Sequence, residues 1–299
     1  MTTTTSVVRG DALVRNRRQR LIARFGRGPL HLALLVISLI WLLPTLGLLI
    51  TSFRPRQDIQ RTGWWKVFSG EGSLTLENYR NVLDAQGMWD GFLNSLKIVI
   101  PSTLVPLLLC SMAAFAFAWV DFKFRDTLFL LVIAILLVPL QLTFIPLSRM
   151  FGSDRLEFMR GTLFPVWIAH TTFALPFGIF LLRNFFITLP KDLIEAARID
   201  GASAFNIFRR IVVPLSVPAL ASYGIFQFLW TWNDLLIALI FAPRDGQPMT
   251  VKITQLLGTY ATEWDILAAS SFLVMAVPLV VFFSLQRYFV QGLLAGSVK

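Results

Sequence analysis

Six apolar runs, at about 30–52, 92–119, 127–148, 162–186, 211–241 and 266–289, constrain this chain more than any other feature of its 299 residues. Each reaches the roughly 20 residues an α-helix needs to cross the hydrocarbon of a bilayer. No water is available there for backbone N–H and C=O groups, so each run must pair its own backbone as a helix. The expected fold is all-α: a polytopic membrane protein with six transmembrane helices. Only 15% of the residues are charged and 56% are hydrophobic, against about 25% charged in soluble domains. Prolines at 44, 101, 106, 139, 146, 176, 218 and 278 lie inside or at the ends of the runs. Neighbouring groups in a bilayer re-satisfy the carbonyls that proline frees, so kinked spans are expected.

The net charge of +10 points to topology rather than to nucleic acid, because Lys and Arg accumulate on the cytoplasmic side of membrane proteins. Seven arginines lie between Arg9 and Arg27. With that tail inside, the cytoplasmic segments hold 16 of the 27 basic residues: seven in the tail, Lys123 and Arg125, five from Arg183 to Arg210, then Arg287 and Lys299. Both termini are expected in the cytoplasm, with 1–29 a basic tail and 30–299 a multi-pass domain of the cytoplasmic (inner) membrane. The run Leu30–Thr51 is too long for a signal-peptide core and reads as a retained first span. The loop 53–91 is the largest outer element. Its Trp64, Trp65, Tyr79 and Trp89 read as an interfacial belt or as a grip on an outside partner. Within it, 73–83 reads as a short helix capped by Ser73 or Thr75. The lone Cys110 reads as a packing residue, and His31 and His170 belong to no cluster with metal-ligand spacing.

One polar segment interrupts the apolar pattern. Residues 189–210 predict a bent two-helix element at the inner face. Pro190 suits a first helical turn, and Asp192 and Glu195 sit where the helix dipole favours acids. Ala196 and Ala197 are strong helix formers without bulk. Gly201, after Asp200, can take the left-handed conformation that ends a helix, and Ser203 can cap the next. Ile207, Phe208 and Ile211 fall at helical spacing for packing back onto the bundle, and Pro214 marks entry to the fifth span. Arg198, Arg209 and Arg210 are placed to meet acids of another protein or lipid phosphates.

The pattern Glu195-Ala196-Ala197, three residues, Gly201, nine residues, Ile211, one residue, Val213-Pro214 resembles the EAA signature of ATP-binding cassette importer permeases, with Val213 where Leu is usual. Asn94-Ser95, PFGIFLLRNFF (176–186), TWNDLL (231–236) and QRYFVQGLLAGSVK (286–299) extend the resemblance over nearly the whole chain, toward the maltose-type second permease and, in wording, toward alpha-glucoside importers. The resemblance implies a type I importer permease fold. It also implies three protein partners: a second permease subunit in a heterodimer, a dimeric ATPase, and an extracytoplasmic sugar-binding protein. Glu195, Ala196, Ala197, Asp200, Gly201 and Pro214 would form the coupling contact with the ATPase, and the tail with Gly292, Gly296 and Lys299 would reach between the ATPases. No cofactor is expected on this chain. ATP and Mg would sit on the partner, since no G-x-x-x-x-G-K-[ST] stretch is present.

Sugars are polar and uncharged, so a pathway needs hydrogen-bonding groups and aromatic faces. Asp234, beside Asn233, is the leading acid of the fifth span. Tyr223, Gln227 and Trp230 are spaced to share a helix face. Asn94 could contribute, with helix capping as its structural alternative, and His170 and Gln141 could line the path or simply pack. A secondary transporter of a small polar solute is the alternative function. It needs ion-coupling acids or broken helices in matched halves, for which Asp234 alone is thin support. A membrane enzyme would need a catalytic constellation, and neither G-x-S-x-G nor H-E-x-x-H is present.

Overall fold

The computed structural model describes the backbone over residues 5–84, 86–260 and 262–295, with side chains described between 28 and 286. Two compact units divide between Thr75 and Leu76. In the first, α1 (Thr5–Ser52) contains the apolar stretch Gly28–Ser52. Its apolar side chains from Leu30 to Leu43 are largely exposed. The chain then folds back through α2 (Arg56–Arg61) and a 3₁₀ turn, Trp64–Ser69. Trp64 lies against α1 at Gly47, where an added Cβ would come within 2.8 Å of the indole nitrogen. Arg54, only 1% exposed, donates to the carbonyls of Asp58 (2.9 Å) and Thr62 (3.1 Å). The Asp58 carboxylate accepts from the Ser73 amide (3.1 Å) and hydroxyl (2.9 Å). Ser73 is therefore engaged across this loop and is not a cap for the next helix, which begins later than expected.

The second unit opens with α3 (Glu77–Asp84). Then α4 (Met88–Val99) and α5 (Pro101–Trp119) run on as one apolar segment, Met88–Trp119, which starts four residues before the expected 92. Two more helices are long and apolar enough to cross a membrane: α8 (Phe164–Phe186) and the stretch Trp264–Gln286 of the final helix. Two of the six expected segments are not straight. In 127–148, α6 (Arg125–Ile135) and the stretch Leu140–Phe151, which includes α7 (Phe144–Phe151), meet at 94°. Pro139 accounts for the break, since the residue before a proline is pushed out of helical geometry. In 211–241, Ala204–Leu215 meets α12 (Val217–Trp232) at 80°, and the helix breaks again before α13 (Leu236–Phe241). Pro218 has no N–H for the Pro214 carbonyl, which weakens the ladder at the bend. After α13 come α14 (Met249–Thr259) and α15 (Trp264–Ala295). Among the described residues, four helices qualify as spans, or six if each bent pair counts as one.

Packing follows side-chain size. The helix pair α5 and α8 forms the main contact of the unit, and α12 packs on α5, α8 and α15. At their crossing, a Cβ on Gly178 would lie 2.4 Å from Tyr223 Cζ and 2.5 Å from Cys110 Sγ. Cys110 is fully buried there as the packing residue expected. One apolar core gathers Cys110, Phe115, Phe129, Leu182, Phe186 and Tyr223. A second, toward the other end, holds Met88, Val99, Trp232, Met249 and Ile266.

Candidate functional site

The polar segment forms α9 (Lys191–Ile199) and α10 (Ala204–Ile207). Pro190 sits just before α9 with ψ 121°, as the boundary residue and not in the first turn. At the other end, Gly201 has φ +79° and nothing within 4 Å of a would-be Cβ, so glycine is needed here for conformation and not for space. Its amide donates to the Arg198 carbonyl (3.0 Å), and the Ala202 amide to that of Ala197 (2.9 Å). Those two bonds are the Schellman motif, which satisfies carbonyls left over at a helix end. Ser203 then caps α10, its hydroxyl accepting from the Asn206 amide at 3.3 Å. The chain continues as one π-helical turn, Phe208–Val212, so Pro214 lies inside a continuing helical path, in the three-residue turn Val213–Leu215.

Anchors and exposed residues separate cleanly. Ile194 (1% exposed), Ile207 (2%), Phe208 (7%) and Val212 (0%) are buried in the core around Phe115, Phe129 and Phe186. Glu195, Ala196, Asp200 and Gly201 face out, while Ala197 is half-buried against the core. Ile199 is 86% exposed and Phe205 58%, so the outward surface is more apolar than the sequence implied. Arg198, which the sequence places to meet acids of another protein or lipid phosphates, is exposed and also donates to the Trp119 carbonyl at the end of α5. The Trp119 indole in turn donates to the Phe186 carbonyl at 3.1 Å. The element is thus pinned to the ends of both α5 and α8.

The pathway candidates separate as well. Asn94 is neither a helix cap nor free: it lies mid-helix in α4, 5% exposed, and its amide donates to the carbonyls of Asp245 (2.7 Å) and Gln247 (3.3 Å). Beside it, the Ser95 hydroxyl accepts the first amide of α14, Met249, at 3.0 Å. Together they clamp the 243–249 loop. Tyr223, fully buried, donates to the Ala174 carbonyl at 3.3 Å. Gln227, 3% exposed, donates to the Ser102 carbonyl (3.1 Å) and the Thr231 hydroxyl (3.2 Å). Trp230, on the same face of the continuous helix α12, is instead 56% exposed and stacks on Phe226, so that face is buried only over its first part. Asn233 is exposed, with its amide turned back to the Leu229 carbonyl at 2.8 Å. Gln141 is exposed on a 3₁₀ turn.

Asp234 sits at the helix break and accepts the amides of Ile237 (3.4 Å) and Ala238 (3.1 Å), the orphan donors at the start of α13. His170, 2% exposed, brings Nε2 to 3.7 Å from the same carboxylate. The sequence offered no signal for that pairing, because only the packing of α8 against the break brings the two together. Gly292 falls in the backbone of α15, while Gly296 and Lys299 lie outside the described residues.

Residues 96–294 match the family described as the binding-protein-dependent transport system inner membrane component. The chain is 51% identical over 276 residues to the osmoprotective compounds uptake permease protein GgtD of Synechocystis sp., covering 91% of this chain and 92% of that one. It is 37% identical to the alpha-glucoside transport system permease protein AglG of Rhizobium meliloti, over 90% of this chain and 96% of that one. It is 35% identical to the arabinooligosaccharides transport system permease protein AraQ of Halalkalibacterium halodurans, over 88% and 93%. The fold is that of a chain in a bacterial ABC transporter involved in the import of alginate, with a TM-score of 0.73 at 19% identity over 90% of this chain and 98% of that one. The chain therefore belongs to the inner-membrane components of binding-protein-dependent transport systems: it is a permease subunit of an ATP-binding cassette importer, and not an enzyme.

Proposed function

We propose that this permease carries a neutral carbohydrate or a related osmoprotective solute inward across the cytoplasmic membrane, an oligosaccharide such as an alpha-glucoside being the first candidate. A second permease completes the pathway, an extracytoplasmic binding protein delivers the solute, and a dimeric ATPase supplies the work, holding the ATP and Mg. The substrate class is supported by relatives named for alpha-glucosides, arabinooligosaccharides and osmoprotective compounds. Both termini and α9–α10 face the cytoplasm in this reading, in keeping with the basic residues at that end.

The observation that carries the coupling role is the division of α9–α10 into buried anchors and an exposed face. Ile194, Ile207 and Phe208 fix the element to the bundle, and Glu195, Ala196, Asp200 and Gly201 remain outside, where a cleft of the ATPase grips them. Pro214 follows on the path into α12, and the tail at Gly292, Gly296 and Lys299 reaches the ATPases. Among the pathway candidates, Trp230 and Asn233 lead, because they are exposed. Asn94, Tyr223 and Gln227 already spend their polar atoms on internal hydrogen bonds.

Single cysteines at Glu195 and Ala196, with a short bifunctional crosslinker in native vesicles, should trap the ATPase. Adducts with lipid or solvent alone would overturn the coupling role. Uptake of labelled alpha-glucoside, competed by osmoprotective solutes, assigns the substrate. Uptake of neither would remove the proposed class.

A further inference from the structure

The span Met88–Trp119 carries one basic residue, Lys97. The charge-free stretch from Ile98 to Trp119 is about 33 Å long at 1.5 Å per residue, close to the thickness of bilayer hydrocarbon. Lys97 therefore stands at the hydrocarbon boundary, at the end of the span away from Trp119 and α9. Four residues on, Pro101 has no N–H, so the Lys97 carbonyl loses the helical partner it would otherwise have. The Trp167 indole replaces it, donating to that carbonyl at 3.0 Å. Beside this bond lies a groove of about 460 Å³, lined by Leu93, Leu96, Lys97, Ile100, Pro101 and Trp167. The lining is apolar throughout: Lys97 contributes its aliphatic stem, and its ammonium lies beside the groove. Leu93 is 38% exposed and Ile100 50%, so the groove opens outward.

The charge at its mouth is only weakly satisfied. Lys97 Nζ donates to the Asn94 side-chain oxygen at 3.3 Å, a neutral acceptor. The ion pairs among the described residues do not include Lys97. An ammonium at this depth reaches toward the headgroup layer and attracts phosphate. We infer that the groove holds an anionic phospholipid of the adjacent leaflet. One acyl chain runs along Leu93, Leu96, Ile100 and Pro101, and the phosphate sits on Lys97 Nζ. A partner helix in the same groove would have to bring an acid to Lys97 at the membrane boundary, whereas a leaflet supplies phosphates there unaided.

The assembled importer, in nanodiscs of phosphatidylcholine doped with phosphatidylglycerol, tests the inference by native mass spectrometry. Wild type should retain phosphatidylglycerol over phosphatidylcholine. Lys97→Gln should lower that retention roughly five-fold, the size expected for one basic residue at a membrane surface, and Lys97→Arg should preserve it. Ile100→Trp should displace the lipid by filling the groove while leaving the charge in place. Equal retention by wild type and Lys97→Gln overturns the inference. So does a cysteine at Leu93 that crosslinks to the second permease and not to a photoreactive lipid chain.

Discussion

Gly201 shows how much one residue can decide. Its φ of +79° costs a residue with a Cβ about 1–2 kcal/mol, and no neighbour stands within 4 Å to be displaced. Gly201→Ala should therefore strain only the stop of α9, leaving membrane abundance near wild type while uptake falls. Uptake equal to wild type in membrane vesicles would separate the stop from coupling. Gly178 is the opposite case, helical in geometry but enclosed. Gly178→Ala sets a methyl 2.4 Å from Tyr223 Cζ and should destabilise by about 1–3 kcal/mol. A thermal midpoint unchanged in detergent would mean that α8 and α12 can separate at no cost. Sequence marks Gly201 as a helix stop but gives no sign of Gly178, since Cβ clearance is set by residues far away in the chain. Asn94 carries the same lesson. Its place near an expected helix start made capping the natural structural reading, but the helix begins at Met88 and the amide instead serves a loop some 150 residues on.

At the scale of elements, the docking segment holds its place by its anchors and not by its own helical propensity, because α9 and α10 are too short to be stable alone. Ile194→Ala and Phe208→Ala should each cost about 2–5 kcal/mol locally. The measurable result is faster hydrogen exchange across 191–212 with α5 and α8 unchanged, and unaltered exchange would show that the anchors are dispensable. The loop after α1 gives a pH-dependent counterpart. Hydrogen bonds from the Ser73 amide and hydroxyl hold the Asp58 carboxyl below its ordinary value, helped by Arg54 and Arg61. A depressed folded pKa means that this contribution is present above the unfolded value of about 3.9 and fades as pH falls through the folded one. Protection of the 54–75 amides, relative to their intrinsic exchange rates, should fall only in acid, below about pH 4, and Ser73→Ala should move that onset upward. A profile flat down to pH 2 would contradict it.

At the scale of the whole molecule, a permease without a phosphate-binding loop must borrow its energy. The purified chain should hydrolyse no ATP, and activity should appear only when an ATPase subunit is added to the reconstituted permease. Hydrolysis that stays with this chain through denaturing purification and refolding would refute the division of labour. The sequence by itself determined the membrane class, because roughly 20 apolar residues have few stable fates other than a helix in lipid. It also determined the helix–glycine–helix form of the docking segment, because capping and left-handed stops are local chemistry. Tertiary structure alone decided which polar side chains remain available. Tyr223 and Gln227 are taken up by carbonyls on other helices and Asn94 by carbonyls of a distant loop, Asp234 meets His170, and Trp230 is exposed. The physical reason is that helical periodicity fixes direction around one axis, whereas a hydrogen-bond partner is fixed by where the neighbouring helices kink and cross.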